Sequence, residues 1–426
     1  MKIFNRLKEL LYSKSSLIKS IKNAGLYFLG SIVQSAFALF TQPIYSSYLS
    51  AEEFGIIGYF AAISSFFTPL FILSMTSVYL MRYFKQDEKT NKEMLFNITF
   101  YLLILNTLTL FVGYAGIYFY FKHFGVEIPL NPFAWYILIA LLLNNIKSIV
   151  LINFRIRRKA LSFFTYSVIN TALNVGIGIL FVAGFKWGAE GRMLAPIISS
   201  LILIPYSFYI LRKFTAFNIK LSSFLKELKI ATPLILASYA YVPITNIDRI
   251  FLERLDNLAE LGLYSIGVTI AGYAQLALTA LSMAFEPDVF ESVANKNKKK
   301  LIKIAAVIFV PYLVFILVFM LFSKTIISLL TAGRYLGAQP YANITLLSVF
   351  LMGLYWLLMK ILLALEKTQL NLIINIFGGA FAIGIFYFGI QYFGFYGAAY
   401  GKVVIALFML IIAFLFVKPH LKFTTL

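Results

Sequence analysis

The 426-residue chain has no cysteine, which removes disulfides and thiolate metal sites from consideration. Histidine occurs only twice, as His123 and His420, both at the flanks of apolar runs. Charge is also sparse: 13% of residues are charged, whereas 61% are hydrophobic and 17% aromatic. A soluble domain of this length needs far more surface charge, so a bilayer must be the solvent for most of the chain. No glycine-rich loop ends in Gly-Lys-Ser/Thr, which argues against ATP hydrolysis, and Gly394, Gly397 and Gly401 have the helical spacing of close helix packing. No metal-binding His/Glu helix and no nucleophile elbow is present, and the loops are short. The chain reads as a non-enzyme that needs no metal and no cofactor.

What the sequence has is a succession of apolar runs, each long enough to cross a hydrocarbon core of about 30 Å as a helix. Unbroken apolar runs exclude the alternating pattern of a barrel. Spans are expected at 24–49, 56–81, 95–121, 131–153, 162–184, 191–211, 230–253, 262–286, 303–323, 342–363, 369–392 and 397–417. The fold class is therefore an all-α polytopic membrane protein of about twelve transmembrane helices. The net charge of +20 does not mark nucleic acid, because the basic residues sit in alternate breaks between spans. Counting Lys303 and Lys360 with the loops they border, 28 of the 37 Lys and Arg fall on one side and 5 on the other. By the positive-inside rule this places both termini in the cytoplasm and the chain in the cytoplasmic (inner) membrane. Residues 1–22, with six basic residues and no clean apolar core, read as an amphipathic cytoplasmic segment rather than a cleaved signal.

An internal repeat underlies the spans. Glu53-Phe54-Gly55-Ile56 recurs as Glu260-Leu261-Gly262-Leu263 at an offset of 207, and Gly188-Ala189-Glu190-Gly191 recurs loosely as Gly394-Phe395-Tyr396-Gly397 at 206. The chain thus divides into two six-helix halves, 23–216 and 217–426, meeting inside the basic segment 212–229. An even number of spans per half makes them parallel repeats about an axis along the membrane normal. Pro43, Pro69, Pro233 and Pro243 interrupt spans and are candidate hinges, two of them in the seventh helix, which opens the second half.

Charge inside a span is rare and by default functional. Arg82, Lys147 and Lys360 lie toward the cytoplasmic leaflet; Arg192, Asp248, Arg249 and Lys402 lie toward the outer one. Snorkelling to headgroups is the simple account of Arg82 and Lys360, while Lys147 and Arg249 are deeper or paired. Six cations face only Asp248 and, at the end of the eighth helix, Glu286, so a cavity lined by them would attract an anion such as a phosphate and repel an organic cation. Asp248 could neutralise Arg249 or couple transport to an ion, and Glu286 is a second coupling candidate.

The stretch from Pro43 through Tyr48-Leu49-Ser50-Ala51-Glu52-Glu53-Phe54-Gly55 resembles the first helix and loop of bacterial polysaccharide (O-antigen, Wzx-type) flippases of the multidrug/oligosaccharidyl-lipid/polysaccharide exporter superfamily. Pro233-Leu234, Asp248-Arg249 and Glu260-Leu261-Gly262-Leu263-Tyr264-Ser265 are similar to that family's seventh helix and following loop. The resemblance implies two six-helix bundles around a central cavity, as in the multidrug (MATE-like) branch, and alternating access. It implies an undecaprenyl-pyrophosphate-linked oligosaccharide as substrate, moved from the inner to the outer leaflet, with membrane lipids, a polysaccharide polymerase and a chain-length regulator as partners. A cation-coupled multidrug exporter of the same fold is the alternative, although its first span would need an acid and this one carries only Gln34 and Gln42. A membrane-embedded glycan polymerase or ligase would want a large loop that the chain lacks.

Overall fold

The computed structural model describes residues 33–365 and 367–421. The basic segment 1–22 and the start of the first span lie outside the described residues. The first helix, α1, runs over 33–48. The next are α2 (Ala51–Ile72), α3 (Met75–Tyr83), α4 (Glu88–Phe124), α5 (Phe133–Ile156), α6 (Ala160–Ile179) and α7 (Gly188–Arg212). The second half holds α8 (Leu221–Leu252), α9 (Leu258–Ala284), α10 (Glu286–Ala294), α11 (Lys298–Leu321), α12 (Ser323–Leu330), α13 (Gln339–Ala364) and α14 (Thr368–Val417). Among the described residues, nine helices are long and apolar enough to cross a membrane. One of these is α14, which breaks at Gly394 with φ 56 and ψ −135, a conformation open in practice only to glycine. Its two arms fold back on each other, so that Phe381 stacks on Phe408 with ring centroids 3.8 Å apart. With the second arm, α1 and α9, the passes number twelve.

Local chemistry sets the boundaries. Ser50 and Glu53 form a reciprocal capping box at the start of α2: the Ser50 N–H donates to Glu53 Oε2 at 2.7 Å, and the Glu53 N–H donates to Ser50 Oγ at 3.2 Å. The second span is α2 and α3 together, interrupted one turn after Pro69 by left-handed Leu73 (φ 46) and Ser74 (φ 50). Asp87 caps α4, and the Thr90 hydroxyl beside it holds its carboxyl below the usual range. By contrast α8 stays one helix through Pro233 and Pro243.

The repeat is visible in the packing. Where α2 crosses α9, Gly55 lies against the Leu258 carbonyl and Gly262 against the Ala51 carbonyl, each too close for a Cβ. Adding 207 to Ala51 and Gly55 gives 258 and 262, so the two contacts are one contact seen twice, as a two-fold axis requires. Gly58 faces Ser265 Oγ, and these two are each other's counterparts, so the axis passes between them. Gly188 (φ 54) and Gly394 (φ 56), the pair at offset 206, share a positive φ. The fold is two six-helix bundles related by a pseudo-two-fold axis. They meet at the end of the molecule that carries Gly55 and Gly262, here called the junction end; the opposite end carries Arg82, Arg155 and Lys298 to Lys300 and is called the basic end.

One helix ties both halves. Near the basic end, Phe224 and Ala231 of α8 pack into a core with Met75, Tyr79, Leu95 and Val150 of the first half. Farther along, the Ala240 carbonyl of α8 abuts Gly379 of α14.

Candidate functional site

Asp248 is fully buried on α8, and its partner is Lys402 on the second arm of α14, with Nζ 2.8 Å from Oδ2. The Tyr264 hydroxyl on α9 donates to the same oxygen, and Lys402 also donates to the Thr245 carbonyl at 3.2 Å. The pairing with Arg249 considered from the sequence does not form, because successive residues of a helix point about 100° apart. Asp248 Oδ1 is buried and has no hydrogen-bond partner among the described residues. Beside this pair a cavity of about 210 Å³ opens between α8, α9, α13 and α14, lined by Lys402, Thr245, Gln275, Thr345 and Trp356.

Two more interior cations hold carboxylates instead of reaching for headgroups. Arg82 Nε on α3 lies 3.4 Å from Glu227 Oε2 on α8, and Glu227 is only 4% exposed. Lys360 Nζ on α13 lies 3.3 Å from Glu286 Oε2 on α10 and donates to the Ser282 carbonyl. In both cases the acid satisfies the cation locally, so the snorkelling account is replaced by an ion pair. Glu227 was missed in the sequence because it sits in the basic stretch 212–229, which reads as a loop.

The remaining three cations have no carboxylate within ion-pair distance among the described residues. Lys147 on α5 is 5% exposed, and its Nζ donates to Asn170 Oδ1 on α6 at 3.1 Å. On the same face of α6, at helical spacing, Ser167 Oγ and Asn174 Oδ1 are buried with no hydrogen-bond partner among the described residues. Arg192 on α7 lies over the Tyr45 ring of α1, 4.5 Å from its centroid. Tyr45 is close to Gln42, which accepts from the Tyr273 hydroxyl of α9 at 3.1 Å, so α1, α7 and α9 converge there across the halves. Arg249 on α8 is half-buried beside Gly58 of α2, and its Nε is buried without a hydrogen-bond partner among the described residues. It therefore stands next to the two-fold axis with hydrogen-bonding capacity unspent.

A second set of contacts, unforeseen from the sequence, closes the junction end. Arg334 Nη1 donates to the Ser46 and Ser47 carbonyls at 2.9 and 2.6 Å, and the Tyr335 hydroxyl donates to the Leu49 carbonyl. The last carbonyls of a helix have no intrahelical donor; here the other half of the chain supplies it for α1. Pro43, one turn before Ser47, leaves its carbonyl to the Ser47 hydroxyl at 2.9 Å.

The two-bundle fold and the family matches that follow make the chain a transporter of the superfamily that contains multidrug exporters and polysaccharide flippases. The family profile described as "Polysaccharide biosynthesis protein" matches residues 20–293, and the chain belongs to that family. A second profile, MatE, matches residues 233–388. The chain is 23% identical over 366 residues to "Lsg locus putative protein 1" of Haemophilus influenzae, covering 83% of this chain and 87% of the relative. An inward-facing multidrug resistance MATE family transporter superposes with TM-score 0.74 at 16% identity, covering 91% of this chain and 94% of that one. A transporter from Pyrococcus furiosus, described by the reverse polarity of its binding pocket, superposes with TM-score 0.65 at 16% identity, with 95% of each chain covered. The family and its structural neighbours are transporters, not enzymes.

Proposed function

We propose that the chain is a flippase that moves an undecaprenyl-pyrophosphate-linked oligosaccharide from the inner to the outer leaflet by alternating access between its halves. The basic end then faces the cytoplasm of a bacterial inner membrane, in line with the positive-inside rule. One observation carries the reading. Asp248, Glu227 and Glu286 are each bound to a lysine or arginine, whereas Lys147, Arg192 and Arg249 have no acidic partner among the described residues. Of these six cations and three acids, the charge left unpaired is positive, which suits a pyrophosphate: Arg249 can grip it bidentately and Lys147 can meet it as a point charge. The Pyrococcus furiosus neighbour, with its reversed pocket polarity, supports a departure from drug-cation transport on this scaffold. Ion coupling, if carried by Asp248 or Glu286, requires loosening the bonds to Lys402 or Lys360, so Asp248→Asn should abolish any dependence of flipping on an imposed pH gradient.

The MatE match over 233–388 favours the multidrug alternative, and one experiment separates the two. Arg249→Ala and Lys147→Ala should each weaken transport of a fluorescent lipid-linked oligosaccharide in proteoliposomes by on the order of tenfold or more, the scale of a lost charge-assisted hydrogen bond. Arg249→Lys should recover only part of the loss. Transport of an organic cation by the intact protein, with no movement of the lipid-linked sugar, would overturn the reading.

A further inference from the structure

The clamp on α1 has a twin across the axis. Subtracting 207 from Arg334 and Tyr335, in the loop between α12 and α13, gives Glu127 and Ile128, in the loop between α4 and α5. Adding 207 to Ser46, Ser47 and Leu49 gives Glu253, Arg254 and Asp256, at the end of α8. These counterparts meet as well. The buried Glu253 carboxylate accepts from the Glu127 backbone N–H, and Arg254 lies over the Phe124 ring, 4.8 Å from its centroid. Each half therefore sends the loop between its third and fourth passes across to the end of the other half's first helix. The two contacts lie on opposite sides of the axis, with the crossing of α2 and α9 between them.

The twins differ in strength. In the α12–α13 latch a guanidinium makes two charge-assisted hydrogen bonds to carbonyls, each roughly twice as strong as a neutral one. The Tyr335 hydroxyl holds the Leu49 carbonyl, and the Ser46 hydroxyl donates to the Leu330 carbonyl at 3.5 Å. The Phe54 ring also stands edge-on to Tyr335, with centroids 5.7 Å apart. The α4–α5 latch has one backbone N–H and one cation over a ring. Both Arg254 and Phe124 are exposed, the setting in which such a contact is weakest. The counterparts of Phe54 and Tyr335 are Leu261 and Ile128, so no ring pair forms. Two like charges, Asp256 and Glu127, also act on Glu253 and oppose closure.

We propose that the junction end is a two-latch gate that opens in a fixed order, the α4–α5 latch first and the α12–α13 latch after it. The seam between α4 and α8 then parts while the halves still pivot on the Arg334 contacts, and full separation follows when those contacts let go. This order holds for a transporter of the superfamily whatever its cargo, so it stands apart from the lipid-carrier reading above.

Opening can be read on the cysteine-less chain without any substrate. In phospholipid nanodiscs, single cysteines at Ile128 and Leu49, 2% and 1% exposed, report the first and second latch by their rate of reaction with a soluble maleimide. Ile128→Cys should react on the order of tenfold faster than Leu49→Cys, the scale of one charge-assisted hydrogen bond. Glu253→Ala should speed both reporters, because the second latch opens only through the first, whereas Arg334→Ala should speed Leu49→Cys alone. Glu253→Gln, whose side-chain carbonyl still accepts from the Glu127 N–H, should speed neither. Phe124→Leu removes the ring under Arg254 and should act in the same direction as Glu253→Ala, which keeps the test open where that variant does not fold. Variants that each speed only their own reporter would make the latches independent. Reporters that react at one rate and respond alike would make the gate all-or-none, and Arg334→Ala speeding both would reverse the order. Any of these three results overturns the proposal, and reporters that respond to no variant overturn the gate itself.

Discussion

Lys402→Met removes the only cation within ion-pair distance of Asp248 among the described residues while keeping most of the side-chain volume. The carboxylate is fully buried; Oδ1 already lacks a donor, and Oδ2 would keep only the Tyr264 hydroxyl. Breaking one side of a buried ion pair costs about 3–5 kcal/mol, because the remaining charge stays out of water. At 2–4 °C per kcal/mol, typical of a unit of about 200 residues, the apparent melting temperature should fall by roughly 6–20 °C. Intrinsic tryptophan fluorescence of the detergent-purified protein at a fixed scan rate reads this directly, the fixed rate guarding against irreversible unfolding. Asp248→Asn alone should cost less, since the amide keeps the Tyr264 contact and leaves an ammonium facing a polar cavity. The double variant Asp248→Asn/Lys402→Met should recover much of the loss, with a coupling of at least about 2 kcal/mol between the two sites. Additivity within about 0.5 kcal/mol would refute the reasoning, because it would mean the pair contributes nothing as a pair.

Gly262→Ala places a Cβ into the Ala51 carbonyl, so it should destabilise by about 1–3 kcal/mol through overpacking; Gly55→Ala should match it, as its symmetric counterpart, in the same melting assay. Gly116→Ala, in open space, should instead be neutral or stabilising by up to about 1 kcal/mol. Leu49 is 1% exposed beneath the Tyr335 contact, so a cysteine there should react slowly with a maleimide and several-fold faster when Arg334→Ala releases the end of α1; equal rates would show that Arg334 does not hold the closure. With no native cysteine to interfere, Ala51→Cys should react with an impermeant maleimide in intact spheroplasts and Lys298→Cys only after lysis, and the reverse pattern would invert the proposed orientation.

The twelve spans could be read directly from apolar run length, because a bilayer imposes that length on every pass. The repeat was equally legible: Glu53-Phe54-Gly55 and Glu260-Leu261-Gly262 mark the crossing where the halves touch. The partners of the interior charges were not. Asp248 and Lys402 stand 154 positions apart, and which of six cations reaches a given acid depends on how α8 and α14 pack. Arg82 looked like a snorkelling residue because its partner, Glu227, hides in a basic stretch at the start of a helix longer than the apolar run. The Arg334 clamp carried no signal at all, since a helix end that needs donors looks the same in sequence whichever loop provides them. The glycine series Gly394, Gly397 and Gly401 was read as close packing, which holds for Gly397 against the Gly389 carbonyl and for Gly401 against the Phe386 ring, whereas Gly394 is the break between the two arms of α14.

The two-fold axis between Gly58 and Ser265 relates backbones but not electrical character. Shifting by 207 sends Asp248 to Thr41 and Arg249 to Gln42, and shifting by 206 sends Arg192 to Ala398. Each of these three ionisable groups therefore has a neutral twin. On the proposed reading, a molecule entering between the halves would meet matching walls with unmatched polarity, so its charged end would be drawn off the axis and its orientation chosen before either half moves. After duplication, a fused dimer of identical protomers would have offered two equivalent poses. Divergence at a few positions leaves one, and with it a handedness for the loading step that the scaffold alone could not supply.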